Sequence, residues 1–159
     1  MNKFNIVGLF CEDLRDEKDD VVTLLGIIPD DVQVMSARED SAKNKTIATR
    51  ILSKLCLYVR INFDPTYNLP EPSLRLVMAD GAVLPLGSVD LETVKKSKDA
   101  AIKLGLPLAG VLMKVAISGF QPKLGLLKAE VILGDDVHLA AALSFRAPEG
   151  VPTSSSAAH

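Results

Sequence analysis

Apolar and polar residues alternate with a period of two through much of the chain, most regularly between Ile51 and Phe63. There the odd positions read Ile51, Ser53, Leu55, Leu57, Val59, Ile61 and Phe63, and the even ones Leu52, Lys54, Cys56, Tyr58, Arg60 and Asn62. Successive strand side chains point to opposite faces, so the pattern predicts a strand with one dry face and one wetter face. At about 3.3 Å per residue it would run roughly 43 Å, which predicts a bend or bulge and more than one neighbour. The second regular stretch lies near the C-terminus. Leu127, Ala129, Val131 and Leu133 alternate with polar positions, Gly134-Asp135-Asp136 turns the chain, and Val137, Leu139, Ala141, Leu143 and Phe145 follow. Setting Val131 against Leu139 and Leu127 against Leu143 makes the two apolar faces coincide.

The remaining segments fit around these. Phe4–Cys11 and Val21–Ile28 read as two strands joined by the charged loop Glu12–Asp20, with Gly8 across from Gly26. Two opposed glycines would leave a shallow dent, open to packing or to a ligand. Pro29-Asp30-Asp31 stops the second strand, and Val32–Met35 is a short one. Ser36–Thr49 has no periodicity and reads as a long loop, a kind of segment that is usually functional or disordered. Ser73–Met78 and Ala82–Leu84 form a hairpin about Asp80-Gly81, with Met78 facing Val83, and Pro85 closes it. Residues 90–104 carry the helix signals: Asp90 as N-cap, Glu92 in the first turn, Gly105 as the stop. Leu91, Val94, Ala101, Ile102 and Leu104 are expected to face a sheet, and Lys95, Lys96, Lys98, Asp99 and Lys103 water. Gly110–Ser118 alternates again, ending at Gly119-Phe120-Gln121-Pro122.

The expected fold is therefore mainly β: an antiparallel β-sandwich of about eight strands with one packed α-helix. Residues 1–147 make a single domain, and 148–159, rich in Ser and Ala, read as a disordered tail.

Composition narrows the chemistry. The chain has 159 residues, 48% of them apolar, with no Trp and two Tyr, so platforms for stacking single-stranded nucleic acid are not expected. Net charge is −2, which gives no reason to expect a polyanion partner. The charge is uneven, at −6 over residues 1–40, +7 over 41–128 and −3 over 129–159, either because opposite segments become neighbours or because a polar face meets a partner. No apolar run reaches the length of a membrane span or a secretory leader, and Cys11 and Cys56 are in no metal-ligand spacing. Two reduced thiols in a cytoplasmic protein with no membrane role are the expectation. The histidines are His138, on the less apolar face of a strand, and His159, and neither is expected to serve a nucleophile. The sequence contains no phosphate-binding glycine loop, HExxH or zinc spacing, so neither a cofactor nor a metal is expected.

Phe10-Cys11-Glu12-Asp13-Leu14-Arg15, followed by Val22-Thr23-Leu24-Leu25-Gly26-Ile27-Ile28-Pro29-Asp30-Asp31, resembles an uncharacterised bacterial family, a domain of unknown function. Its members open with a strand, Cys-Asp-Asp-Ile-Arg and a second strand ending Gly-Val-Tyr-Pro. Here Glu12 stands for the first Asp, Leu14 for the Ile and Ile28 for the aromatic. Leu106-Pro107-Leu108-Ala109-Gly110 is similar to the segment before a later strand of the family. The resemblance implies a β-sandwich-like bacterial cytosolic protein and carries no catalytic residues.

Two functions are open. One is a non-catalytic bacterial binding or assembly module, engaging a protein partner or forming a homo-oligomer, with Glu12, Asp13 and Arg15 as either a structural corner or a docking point. The other is a small-ligand-binding protein or enzyme with a pocket between the sheets.

Overall fold

The computed structural model describes residues 3–18, 21–29, 31–33 and 54–146. The expected loop at 36–49, the first residues of the long central strand and the C-terminal tail lie outside the described residues. Among the described residues, nine strands and one helix follow in the order β1 (Phe4–Asp16), β2 (Val22–Ile27), β3 (Asp31–Gln33), β4 (Lys54–Phe63), β5 (Pro72–Val77), β6 (Val83–Ser88), α1 (Leu91–Leu104), β7 (Ala109–Ser118), β8 (Gly125–Leu133) and β9 (Asp136–Arg146). They form two sheets, β2-β1-β4-β7 and β3-β9-β8-β5-β6. Every pairing is antiparallel except the short β3–β9 contact. The architecture is a β-sandwich with one helix at its side, as the period-two pattern requires.

β4 is the centre of the first sheet. Its odd residues Leu55, Leu57, Val59, Ile61 and Phe63 are all sealed from solvent. They meet Leu74 and Leu76 of β5, Leu127, Ala129, Val131 and Leu133 of β8, and Leu143 and Phe145 of β9 in one core with no buried polar or charged residue among those described. β1 pairs with one edge of β4 from Phe4↔Phe63 to Cys11↔Cys56, and β7 with the other from Ala109↔Phe63 to Ser118↔Lys54, without a bulge in either register.

The first hairpin departs from its expected register. Gly8 lies opposite Val59 of β4, not Gly26, and β1 continues as strand to Asp16, so that Asp13 pairs with Leu25 and Arg15 with Thr23. The connection is short and closes where the Glu17 amide donates to the Val21 carbonyl at 2.8 Å. Asp13 to Asp16 stays extended because each residue has a partner on β2, and the two aspartates are matched by Lys54 and Lys114. The expected dent is absent: a Cβ on Gly8 would come within 2.6 Å of the Ala140 carbonyl oxygen, so packing fills that space.

Ala140 is itself the extra residue of a β-bulge. Leu127 faces Leu143 as expected, but beyond Ala129↔Ala141 the register shifts and Val131 faces His138 instead of Leu139. One inserted residue inverts the alternation. Val137 and Leu139 are thereby turned to solvent, and His138 turns inward, its ring meeting that of Phe4 edge to face at 5.1 Å.

The β5–β6 hairpin pairs Val77 with Val83 and Leu76 with Leu84, one residue off expectation. Gly81 at φ 83°, with the Asp80 carboxylate accepting from the Ala82 amide at 3.1 Å, makes a wider turn than two residues. Pro85 does not end β6, which runs on to Ser88. It sits on the sheet's outer strand beside a register shift, where a missing N–H costs nothing.

α1 begins and ends as its signals require. Asp90 accepts from the Thr93 amide at 2.7 Å, and Gly105 takes the left-handed conformation at φ 65°. Its apolar face is narrower than expected, with only Val94 and Ala101 buried. Leu91, Ile102 and Leu104 are 56%, 58% and 69% exposed. At about 100° per residue, Ile102 and Leu104 fall on either flank of the Val94–Ala101 stripe. The helix lies along the edge of β7, with Ser97 hydroxyl-bonded to the Gly110 carbonyl at 2.6 Å, and an edge covers less of a helix than a sheet face does.

Substitution at Gly8 tests the contact between layers. Gly8→Ala is expected to lower unfolding free energy by about 1–3 kcal/mol in a urea titration, the usual cost of forcing extra volume into a packed site. The same change at Gly81, which has open space around it but a positive φ, should cost only its backbone strain.

Candidate functional site

Beyond Cys11 the register between β1 and β4 ends, and the β1–β2 hairpin leans over the outward face of the first sheet. Three interactions hold it there. The Cys56 thiol donates to the Glu12 carbonyl at 3.7 Å. Lys54 pairs with Asp13 at 2.5 Å, and Lys114 of β7 pairs with Asp16. Cys11 and Cys56, cross-strand neighbours on this outward face, are consequently inaccessible to solvent, although they stand apart from the core between the sheets.

The expected corner is thus resolved into parts. Asp13 accepts from both Lys54 and Arg15, the latter at 3.3 Å, which is the pairing of Arg15 with a nearby carboxylate that a structural corner calls for. Glu12 lies over Gly26, which at φ 60° has no side chain to obstruct it. Arg15 remains largely exposed. The lysine hydrogen bond, then that from Arg15, holds the Asp13 carboxyl below the usual carboxylate range, and Lys54 is raised in turn by Asp13. Burial, and then the neighbouring Cys56 thiol, pushes Cys11 up to about 11. Cys56 is raised by burial too, while a hydrogen bond between the two thiols works the other way. Thiols held protonated in this way are poor nucleophiles at neutral pH.

His138 is half-buried on the inner side of β9, and its Nε2 meets no hydrogen-bond partner among the described residues. Among the described residues no group of three or more His, Cys, Asp or Glu side chains is placed to hold a metal ion.

A second place has features of a contact surface. Between β5–β6 of one sheet and β7 of the other lies a lateral cleft of about 180 Å³, with Leu74, Leu86 and Val89 on one side and Leu112, Met113 and Val115 on the other. β7 is the outer strand of its sheet. Ser97 both donates to the Gly110 carbonyl and accepts from its amide, so the backbone groups of Gly110 point away from β4. By strand periodicity those of Leu112, Lys114, Ala116 and Ser118 do so too. Sequence reading missed this cleft because it ended β6 at Pro85. The available signal was Leu86, an apolar residue continuing the alternation past that proline. The lysine partners Lys54 and Lys114 were missed as well, and their signal is a cation at an even position of an otherwise apolar strand.

No protein-family model and no curated protein matches the chain.

Loss of the Lys54–Asp13 pair is expected to loosen the arm over the thiols. The native protein should react slowly with a chromogenic disulfide reagent at pH 8, and Asp13→Asn should react at least severalfold faster. Because the folded Asp13 pKa is depressed, its contribution is complete above the unfolded carboxylate value and is lost as pH falls. The stability difference between the native chain and Asp13→Asn should therefore shrink between about pH 5 and pH 3.

Proposed function

We propose that the chain is a non-catalytic binding or assembly module of the bacterial cytoplasm, working through a protein partner or a second copy of itself. The observation that carries this reading is the edge of β7, a ten-residue strand whose outer side no other described strand pairs with, beside the lateral cleft. Sheet edges usually carry devices against further pairing. β6, for one, has Pro85 and a register shift. β7 has neither a proline nor a bulge, its one edge charge, Lys114, is paired with Asp16, and α1 is bonded to it at Gly110. Leu106 and Leu108, exposed just before β7, extend the apolar character of this side.

The bacterial setting is supported by the resemblance of the first two strands, and a reducing compartment by two adjacent thiols left unbridged. No helix among the described residues is long and apolar enough to cross a membrane. The alternative of a small-ligand pocket between the sheets loses the opposed glycines that motivated it. The lateral cleft is smaller than the roughly 300–1,000 Å³ of ordinary ligand sites.

Size-exclusion chromatography with light scattering, combined with affinity capture from the native host, tests the module. The expected result is either a mass above one chain or a captured protein that is lost when the β7 edge is altered by Ala116→Pro. A monomer at every concentration that captures nothing sensitive to that substitution would sink the reading.

A further inference from the structure

Among the described residues, the open part of the β7 edge has definite limits. At one end α1 occupies it, with Ser97 taking both backbone groups of Gly110. At the other the chain leaves the sheet after Ser118, where Gly119 turns it at φ 66°. What remains is Leu112 to Ser118, with four residues of outward backbone groups.

This segment is complementary to itself. In an antiparallel pairing about a twofold axis at Val115, Leu112 faces the second copy's Ser118 and Lys114 faces its Ala116. All four outward-pointing residues then become hydrogen-bonded pairs, about eight bonds in all. The odd residues share the inner face: Val115 meets its own counterpart, and Met113 meets Ile117. In the single chain Val115 and Ile117 face inward yet are only partly buried, and Val115 borders the lateral cleft. The second copy's Ile117, set against Met113, would enter the lateral cleft. The two Lys114 side chains are not directly opposed, and each already has Asp16 as its counterion. In this register the second copy's strand ends at Ser118 opposite Leu112, two residues short of Gly110, where Ser97 of the helix is bonded.

We infer that two copies of this chain join through β7 in this register, making one continuous eight-stranded sheet, β2-β1-β4-β7 followed by its twofold mate. The inference rests on the assembly reading above and goes further by fixing the occupant of the edge and the register. Within it, 112/118 and 114/116 are hydrogen-bonded pairs and 115/115 is a close non-bonded pair, with Cα atoms about 4.5 Å apart. That separation lies within disulfide range, whereas residues more than about 7 Å apart cannot be bridged without backbone movement.

Val115→Cys and Lys114→Cys in the full chain, oxidised with diamide and run on non-reducing gels, test the register. Diamide takes two electrons and two protons from a thiol pair and becomes the hydrazine as the S–S bond forms. The expected result is a covalent dimer for Val115→Cys, at least tenfold more abundant than for Lys114→Cys, whose counterparts are diagonal. The native chain, with Cys11 and Cys56 buried, should give none. In light scattering the native chain should weigh twice its 17.0 kDa. Ala116→Pro removes an outward amide and no β4 bond, and should dissociate at a concentration at least tenfold higher than the native dimer does. Circular dichroism verifies that this variant is folded, and the cysteine pair decides the matter if it is not. A native dimer in which position 115 does not cross-link overturns this pairing and leaves the assembly reading standing. Equal cross-linking at 114 and 115 overturns the register. A native monomer that instead captures another protein through β7 overturns self-association alone.

Discussion

The structure depends on the exclusion of water from one face of β4. Leu55, Leu57, Val59, Ile61 and Phe63 form a continuous apolar row, all paired with β7 and all but Leu55 with β1, and all are sealed beneath the second sheet. Burying aliphatic and aromatic side chains of this size contributes about 1.5–3 kcal/mol each, before the entropy of ordering is set against it. Because side chains alternate, a slip of one residue would exchange this row for Lys54, Cys56, Tyr58, Arg60 and Asn62, which the interior could not accept. The registers of β1 and β7 on β4 follow from that row, and with them the positions of the thiols, the charged arm and the open edge.

Much of this was legible in the residues, and the failures have physical causes. Alternation identified β4, β7 and the β8–β9 pair, and capping chemistry placed α1 to within a residue. Register was legible only where no extra residue intervened. Leu127↔Leu143 followed from the pattern, but Val131↔His138 depends on a bulge at Ala140 that the pattern does not encode. Charge misled at Glu12–Asp16, where a run of acidic residues looks like a loop. It is extended because Lys54 and Lys114, distant in sequence, supply its counterions. Of the expected corner residues, Asp13 and Arg15 are hydrogen-bonded to each other, while Glu12 lies over Gly26. Their partners could not be found from sequence, since those partners are fixed by how the hairpin folds across the sheet. On α1, periodicity showed which residues share a side, but not that the helix would meet an edge and leave Ile102 and Leu104 in solvent.

Polar interactions refine this frame more than they support it. Arg75 and Glu130 pair at 2.8 Å across neighbouring strands, and Lys123 ties the Asp80 turn to the approach of β8. Pairs at such partly exposed positions contribute little to stability. Their effect is on placement, and the same is true of Asp13 and Asp16, which set where the hairpin arm lies. The two faces of the first sheet are thus closed by different means, one by apolar contact and the other by charge.

The near approach of Gly8 to the Ala140 carbonyl has a mechanical consequence. Most sandwich layers are separated by interleaved side chains, which allow small lateral adjustments as rotamers change. Here the two backbones come within touching distance at one place, between a residue with no side chain and a bulge that projects toward it. Such a contact works like a dowel between two boards: rotation about it remains open, while translation of one layer across the other is blocked.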